Sequence, residues 1–210
     1  MELQGLKEAI VGGNLDRSVA ITNEAIAAGV APSQLINDYM IKGMEDIGAQ
    51  FEAGTAFVPN LLMSARAMKG ALDILKPLLQ GDASATLGRV VIGTVKGDLH
   101  DIGKNLVASM LEGCGFEVIN VGTDVSSEKF IEAIEANNAD IVCMSALLTT
   151  TMTYMKEVIE AINASAHKGK VKVMIGGAPV SREFASNIGA DGYSSNANGA
   201  VATAKGLMGI

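Results

Sequence analysis

One segment concentrates side chains that could do chemistry: Lys96-Gly-Asp-Leu-His-Asp-Ile-Gly-Lys104, in which His100 lies between Asp98 and Asp101. The chain contains 2 histidines, so any chemistry that needs an imidazole falls to His100 or His167. An imidazole beside carboxylates can transfer protons, ligate a metal or simply form an ion pair. A zinc site is disfavoured, because one histidine without a suitably spaced cysteine or second histidine cannot complete a tetrahedral ligand set.

Two further segments are candidates for a binding site. One is rich in hydroxyls, Ser145-Ala-Leu-Leu-Thr-Thr-Thr151, and the other is Gly176-Gly-Ala-Pro179. A hydrolytic triad of Ser145, His100 and Asp98 is conceivable, but the sequence lacks a nucleophile elbow around the serine. The Gly176-Gly177 pair can also be read as an ordinary turn between a strand and a helix.

The order of predicted elements places these segments together. After residue 86, short β-branched runs alternate with helical stretches, at 89–95, 116–121, 140–144, 171–175 and, more weakly, 191–194. This alternation predicts an α/β domain with a doubly wound parallel five-stranded sheet. Ligands of such sheets collect at the carboxyl ends of the strands, where the strand order reverses. The three segments follow the first, third and fourth predicted strands.

Residues 1–85 predict a separate helical cap domain and a linker, followed by an α/β domain over 86–210. Asn14 can cap a helix that runs to Gly29, Pro32 opens a longer one through Gly54, and another begins near Phe57 and frays around Pro77. Together with a first helix before Asn14, they predict an antiparallel four-helix bundle. The small polar segment 80–86 predicts a connection that could act as a hinge.

Composition excludes several classes of function. The formal net charge is −7, and neither half of the chain is basic, so nucleic acid and anionic membranes are poor partners. Aromatic residues are 4% of the chain, which disfavours stacking platforms for bases or sugars. The sequence contains no run of 18 apolar residues, so it predicts no membrane-spanning helix, and it shows no secretory leader. We therefore expect a cytoplasmic protein.

Common phosphate-binding occupants of this fold do not match the segment after the first strand. The glycines at 93, 97 and 103 have the wrong spacing for a dinucleotide loop, and Gly103-Lys104 is followed by Asn105 rather than by a Walker hydroxyl. A receiver domain needs an acceptor aspartate where Ser145 stands. A flavin mononucleotide loop is richer in hydroxyls than this one, which has carboxylates.

Three motifs together carry a resemblance to a known family. Asp98-Leu-His-Asp-Ile-Gly103, Ser145-Ala-Leu147 and Gly176-Gly177 resemble the cobalamin-binding module shared by methionine synthase and the small corrinoid methyl carriers. The segments 51–61 and 67–77 are similar to the helical cap that precedes this module. The resemblance covers nearly the whole chain and implies a four-helix cap followed by a flavodoxin-like cobalamin-binding domain.

The resemblance implies roles for the residues that match the motifs. His100 would ligate the cobalt of a cobalamin from below, in the base-off/His-on state, and Asp98 would accept the other imidazole N–H. Thr151 stands where methionine synthase has a serine, and it would complete this relay.

The other matching residues would contact the rest of the cofactor. Ser145, Leu147 and Thr149 would contact the nucleotide tail, and Gly176 and Gly177 would let that tail pass close to backbone. Leu99 and Asp101 of the histidine motif are also expected to bind the cofactor, and Gly103 would open the next helix without blocking the corrin. In the cap, Phe57 and Leu61 either shield the upper cobalt face or belong to the bundle core.

The function implied is that of a methyl carrier rather than an enzyme, with no catalytic residues of its own. The cobalt would take a methyl group from a substrate:corrinoid methyltransferase and pass it to a second methyltransferase, with coenzyme M or tetrahydrofolate as acceptor. A reductive activator protein is an expected further partner. Substrate specificity should lie on the partner methyltransferase, so the sequence leaves the donor, the acceptor, the lower base and the oligomeric state open.

Alternatives to the carrier role remain at this point. A cobalamin-dependent sensor or regulatory module has the same two domains but normally adds a basic DNA-binding domain. An adenosylcobalamin mutase subunit usually lacks such a cap, and a receiver-like module would bind no cofactor.

Overall fold

The computed structural model describes residues 3–79 and 86–210, and it divides into two compact units. The first unit extends from the N-terminal part of the chain to Thr86 and includes Glu112–Gly115; the second comprises Leu87–Leu111 and Phe116–Ile210. Of the predicted connection, residues 80–85 lie outside the described residues. No described helix is both long and apolar enough to cross a membrane.

The first unit is helical, as the sequence predicts. Its helices are α1 (Gln4–Val11), α2 (Leu15–Ala27), α3 (Pro32–Leu35), α4 (Ile41–Glu52) and α5 (Val58–Leu75), with a π-helical turn over Ile36–Met40 and a 3₁₀ turn over Lys76–Leu79. Because the π-helical turn joins α3 to α4 without a break, the segment from Pro32 to Glu52 is one continuous helix, and four helices form the bundle.

Local signals explain where these helices begin. The Asn14 side chain accepts a hydrogen bond from the Arg17 N–H at 3.0 Å, which satisfies one of the free donors at the start of α2. Pro32 occupies the first turn of α3, where its missing N–H costs nothing. At the start of α5, the Asn60 side chain accepts a hydrogen bond from the Phe57 N–H at 2.9 Å.

The helix α5 supplies much of the core of the first unit. Its buried apolar residues recur three or four positions apart, at Leu61, Ala65, Met68, Leu72 and Leu75. Leu61 has no exposed surface, whereas its neighbour Leu62 is exposed. Four large apolar side chains around the first turns of α5 are exposed to solvent: Phe57, Val58, Leu62 and Met63.

The second unit is a parallel five-stranded sheet with the order β2-β1-β3-β4-β5, which confirms the predicted architecture. The strands are β1 (Arg89–Thr94), β2 (Glu117–Asn120), β3 (Ile141–Ser145), β4 (Lys172–Gly176) and β5 (Gly192–Ser194). The helices are α6 (Ile102–Gly113), α7 (Ser127–Asn137), α8 (Thr149–Met152), α9 (Tyr154–Ala164), α10 (Arg182–Ile188) and α11 (Ala197–Met208).

The strand order reverses between β1 and β3, so the loops that follow these two strands flank the crevice. Thr94 at the end of β1 pairs with Ser145 at the end of β3, and Ser145 pairs with Gly176 at the end of β4. The three chemically informative segments therefore leave the sheet side by side at one edge.

The burial of Leu61 generates a stability prediction. Leu61→Ala should lower the free energy of unfolding by about 2–5 kcal/mol, because it deletes a fully buried side chain and leaves a cavity. The exposed neighbour provides the control, since Leu62→Ala should change the free energy by no more than about 0.5 kcal/mol. Chemical denaturation of the full chain measures both, and equal losses would contradict the placement of Leu61 in the core.

Candidate functional site

His100 lies in the loop between β1 and α6, and its conformation is fixed from both sides. Its backbone carbonyl accepts a hydrogen bond from Thr94 Oγ1 at 2.9 Å, and its backbone N–H donates to Asp98 Oδ1 at 3.0 Å. The ring atom Nδ1 lies 2.7 Å from the same Asp98 oxygen. A carboxylate at this distance requires the proton on Nδ1, so the lone pair of the neutral ring is on Nε2. The side chain is 51% exposed, so the ring is accessible to a ligand.

Asp98 is the central acceptor of the site. Its Oδ2 accepts hydrogen bonds from the Leu147 N–H at 2.8 Å and from Thr151 Oγ1 at 2.7 Å, with a longer contact from the Leu148 N–H at 3.4 Å. Since Oδ1 accepts from His100, both oxygens are used, and the residue has no exposed surface. One carboxylate therefore joins the loop after β1 to the loop after β3.

Two opposing effects determine the charge of Asp98. Burial by itself would raise the pKa of the carboxyl, but the hydrogen bonds from Thr151, Leu147 and His100 outweigh burial and hold the pKa well below its usual range. Asp98 is consequently anionic at neutral pH. An anionic partner on Nδ1 makes the opposite nitrogen of the imidazole a better electron-pair donor.

Thr151 is brought into contact with the Asp98 carboxylate, although 53 positions separate them in the sequence. It lies in the short helix α8, is 9% exposed, and its hydroxyl is also 3.0 Å from the Leu148 carbonyl oxygen. The structure thus groups His100, Asp98 and Thr151 in the order in which the sequence resemblance places them.

The segments that carry Asp98 and its partners expose four large apolar side chains, which we name the apolar collar. Leu99 is 73% exposed and Ile102 is 87% exposed, on either side of the histidine in the sequence. Leu147 and Leu148, whose N–H groups face Asp98, are also exposed. Apart from Ile210 at the chain end, these four are the large apolar residues exposed in the described part of the second unit. Such a patch is typical of a surface that binds an apolar ligand or partner.

Hydroxyl groups lie at the same edge of the sheet. Ser145 is half-buried at the end of β3, and within the described residues its hydroxyl makes no hydrogen bond. Thr149 is exposed at the start of α8. Both can donate to or accept from a polar group of a ligand.

Gly176 and Gly177 are required by the protein's own backbone. Gly177 has φ +126°, and a Cβ there would overlap the Ala146 carbonyl oxygen. A Cβ on Gly176 would lie 2.9 Å from the Ser194 carbonyl oxygen. Close packing between loops therefore explains both glycines without a ligand, and a substitution at Gly177 would disturb the fold in any case.

Gly103 and Asp101 differ in their surroundings. A Cβ on Gly103, in the first turn of α6, would have no neighbouring atom within 4 Å, so open space lies beside it. Asp101 is exposed, and its Oδ2 accepts a hydrogen bond from Asn105 Nδ2 at 2.9 Å. Within the described residues no group of three or more histidine, cysteine or acidic side chains could hold a metal ion.

The two cap residues of the sequence hypothesis differ in exposure. Phe57 is exposed at the start of α5, whereas Leu61 is fully buried in the core of the helical unit. The burial of Leu61 favours the bundle-core interpretation for that residue.

A buried lysine near the site was not singled out from the sequence. Lys104 is 3% exposed, and its Nζ donates to Asn105 Oδ1 at 2.6 Å and to Asn120 Oδ1 at 2.7 Å. Burial lowers the pKa of Lys104, while the charge of Asp101 opposes this shift. A cation in the first turn of a helix is unfavourable to the helix dipole, and that is the sequence signal that could have drawn attention to it.

Comparisons with known proteins find matches to both parts of the chain. Two family models, each described as a B12 binding domain, match residues 88–202 and residues 2–76. A dimethylamine corrinoid protein of Methanosarcina barkeri is 43% identical over 207 residues, covering 98% of this chain and 97% of the relative. A trimethylamine corrinoid protein of Methanosarcina mazei is 40% identical over 204 residues, covering 96% and 94%.

A solved structure is similar along almost the whole chain. The crystal structure of a methanol:cobalamin methyltransferase complex from Methanosarcina barkeri contains a chain that superposes with a TM-score of 0.84 at 33% identity. The match covers 99% of this chain and 80% of that one.

The Asp98 contacts generate a prediction on stability and its pH dependence. Thr151→Val should lower the free energy of unfolding at pH 7 by about 1–3 kcal/mol, because it removes a hydrogen bond to a buried charge. The deficit should be full at neutral pH, where Asp98 is ionised in both proteins. It should narrow in acid as the pH falls through the pKa of Asp98 in the folded variant, which the loss of the hydrogen bond raises above the wild-type pKa. Denaturation curves from pH 7 down to the lowest pH at which both proteins stay folded measure this effect.

The neighbouring threonine provides the control for this prediction. Thr150 is exposed, so Thr150→Val should change the free energy of unfolding by no more than about 0.5 kcal/mol at any pH. A deficit of Thr151→Val that stays constant with pH would show that the hydroxyl does not act on the Asp98 charge.

Proposed function

The chain belongs to the B12-binding family of corrinoid proteins, and from this premise we propose that it carries a methyl group on a bound corrinoid between two methyltransferases. The observation that carries the proposal is the half-exposed imidazole of His100, whose Nδ1 is held by a buried anionic carboxylate, so that Nε2 is left as the electron-pair donor. Relatives that align over nearly the whole chain and are named methylamine corrinoid proteins support the carrier role.

The residues around His100 fit a corrinoid. A single imidazole suits a metal that arrives with its own macrocycle and needs only an axial ligand from the protein. The apolar collar offers contact area to the macrocycle, and open space beside Gly103 leaves room for it. When bound, the corrinoid supplies a cobalt ion that can accept and release a methyl group.

The protein's own contribution is to hold and tune the axial ligand. His100 would bind cobalt through Nε2 in the base-off/His-on state, while Asp98 keeps the Nδ1 proton in place. The Thr151 hydroxyl holds Asp98 anionic, so these side chains together set how strongly His100 donates to the metal.

The remaining site residues are proposed to bind the rest of the cofactor. Ser145 and Thr149 offer hydroxyls to its polar tail, and Leu147 offers an apolar contact. In the helical unit, the exposed Phe57 is proposed to contact the corrinoid, whereas the fully buried Leu61 is assigned to the core of the bundle. Gly176 and Gly177 shape the loops through their backbone, as described above.

We propose a methylated amine as the methyl donor, since the relatives with 43% and 40% identity are named for dimethylamine and trimethylamine. The donor would be bound by a substrate:corrinoid methyltransferase, and a second methyltransferase would pass the methyl group to coenzyme M or tetrahydrofolate. A reductive activator is proposed to restore the reactive oxidation state of cobalt after accidental oxidation.

Removal of the His100 imidazole tests the proposed cobalt ligand. Full-length protein mixed with hydroxocobalamin and desalted should retain the corrinoid with an absorption spectrum that depends on His100. His100→Ala should retain corrinoid through the other contacts but lose that spectrum, because Nε2 is removed. The control is His167→Ala, at the second histidine of the chain, which should leave the spectrum unchanged. An unchanged spectrum in His100→Ala would refute the ligand assignment.

Transfer of an isotopically labelled methyl group tests the carrier role and the donor class. Reduced holoprotein is incubated with an extract of the source cells and with dimethylamine, trimethylamine or methanol whose methyl carbon is labelled, and it is then desalted. Label from at least one amine should remain with the wild-type protein, whereas methanol should leave none. Labelling by methanol instead of the amines would overturn the donor class. No label from any donor, with the corrinoid still bound and reduced, would overturn the carrier role.

A further inference from the structure

The loop between β2 and α7 contacts the His100 loop. Strand-like contacts with β1 hold it at both ends. The Val121 N–H donates to the Ile92 carbonyl oxygen at 2.9 Å, and the Val125 N–H donates to the Thr94 carbonyl oxygen at 3.0 Å. Between these contacts, the Gly122 carbonyl oxygen accepts a hydrogen bond from the Thr94 N–H at 3.0 Å, and Thr123 and Asp124 follow it.

Asp124 makes a reciprocal contact with the His100 loop. Its Oδ1 accepts a hydrogen bond from the Gly97 N–H at 2.7 Å, and its own N–H donates to the Asp98 carbonyl oxygen at 3.0 Å. We name these two hydrogen bonds the Asp124 clasp. Both hydrogen bonds are made to the backbone of Gly97 and Asp98, and the side chain of Asp98 is the carboxylate that contacts His100.

The backbone of Asp124 is unusual. Its φ is +53°, and the other non-glycine residue with positive φ in the described part of the chain is Asn138, with φ +48°. Asn138 ends α7, where a left-handed residue is the ordinary way to terminate a helix. Asp124 ends no helix, and strain of this kind persists where the surrounding contacts determine it, often at functional sites.

A second set of contacts joins the end of β2 to the first turns of α6. Asn120 Oδ1 accepts from Lys104 Nζ at 2.7 Å and from the Gly122 N–H at 3.1 Å, and Asn120 Nδ2 donates to Asn105 Oδ1 at 3.0 Å. Asn105 in turn donates to Asp101, the residue after His100. The end of β2 and the loop that follows it therefore contact the chain both before and after His100.

We infer that Asp124 is a positioning residue, whose clasp on Gly97 and Asp98 holds the His100 loop in the geometry that ligates cobalt. The inference rests on the proposed role of His100 as the axial ligand. Asp124 acts through the backbone that carries Asp98 and not through contact with the cofactor.

Three variants separate the contributions of side chain and backbone. Asp124→Gly keeps the left-handed backbone accessible but removes the acceptor. Asp124→Asn keeps an oxygen at the same position and tolerates positive φ. The matched control is Asn138→Gly, which replaces the other left-handed residue at the end of α7.

Amide hydrogen exchange of the cofactor-free full-length protein tests the clasp itself. In Asp124→Gly the Gly97 N–H should exchange about tenfold faster or more, because it loses a charged acceptor. The rate should return towards the wild-type value in Asp124→Asn and stay unchanged in Asn138→Gly. A wild-type rate in Asp124→Gly would overturn the inference.

The absorption spectrum after reconstitution with hydroxocobalamin tests positioning. In Asp124→Gly the ratio of His100-bound to unbound corrinoid should fall about tenfold, with recovery in Asp124→Asn. Faster Gly97 exchange together with a full His100-dependent spectrum would overturn the inference, since the clasp would then be structural only. A wild-type spectrum that does not depend on His100 overturns the ligand assignment instead, and the two failures are distinguishable.

Discussion

The site depends on one buried negative charge. Asp98 has no contact with water, yet its hydrogen bonds keep it ionised, and the donors come from two different loops. An ionised carboxylate in such a place is stable only while these donors stay aligned, because an unpaired buried charge is very costly. The loops after β1 and β3 are consequently held together by the same charge that fixes the tautomer of His100.

The elements were predictable because their signals are local. The β-branched runs and the turn residues gave the five strands with shifts of about one residue, and Asn14 and Pro32 marked helix starts. The strand order placed the three motif segments at one edge of the sheet, and the structure has them there. The grouping of His100, Asp98 and Thr151 was likewise predictable. Their loops follow adjacent strands, and the three residues occupy matching positions in the motifs of the cobalamin-binding module.

The rest of the site depends on contacts that spacing does not encode. Asp124 and Gly97 lie in different loops, so the sequence around Asp124 does not indicate that its carboxylate accepts a hydrogen bond from the Gly97 N–H. Helical spacing marks Leu61 as apolar on one face, but it does not say whether that face meets the core or solvent. Gly177 could be assigned to a ligand or to a turn, and only the approach of the Ala146 carbonyl decides for the backbone.

The apolar collar has a consequence for the life of the protein before it acquires a cofactor. Leu99 and Ile102 are both more than two-thirds exposed, and exposed apolar patches promote self-association. A ligand that covers them stabilises the folded state by mass action. The free energy of unfolding would then rise with the concentration of free corrinoid, and the tendency to self-associate would fall.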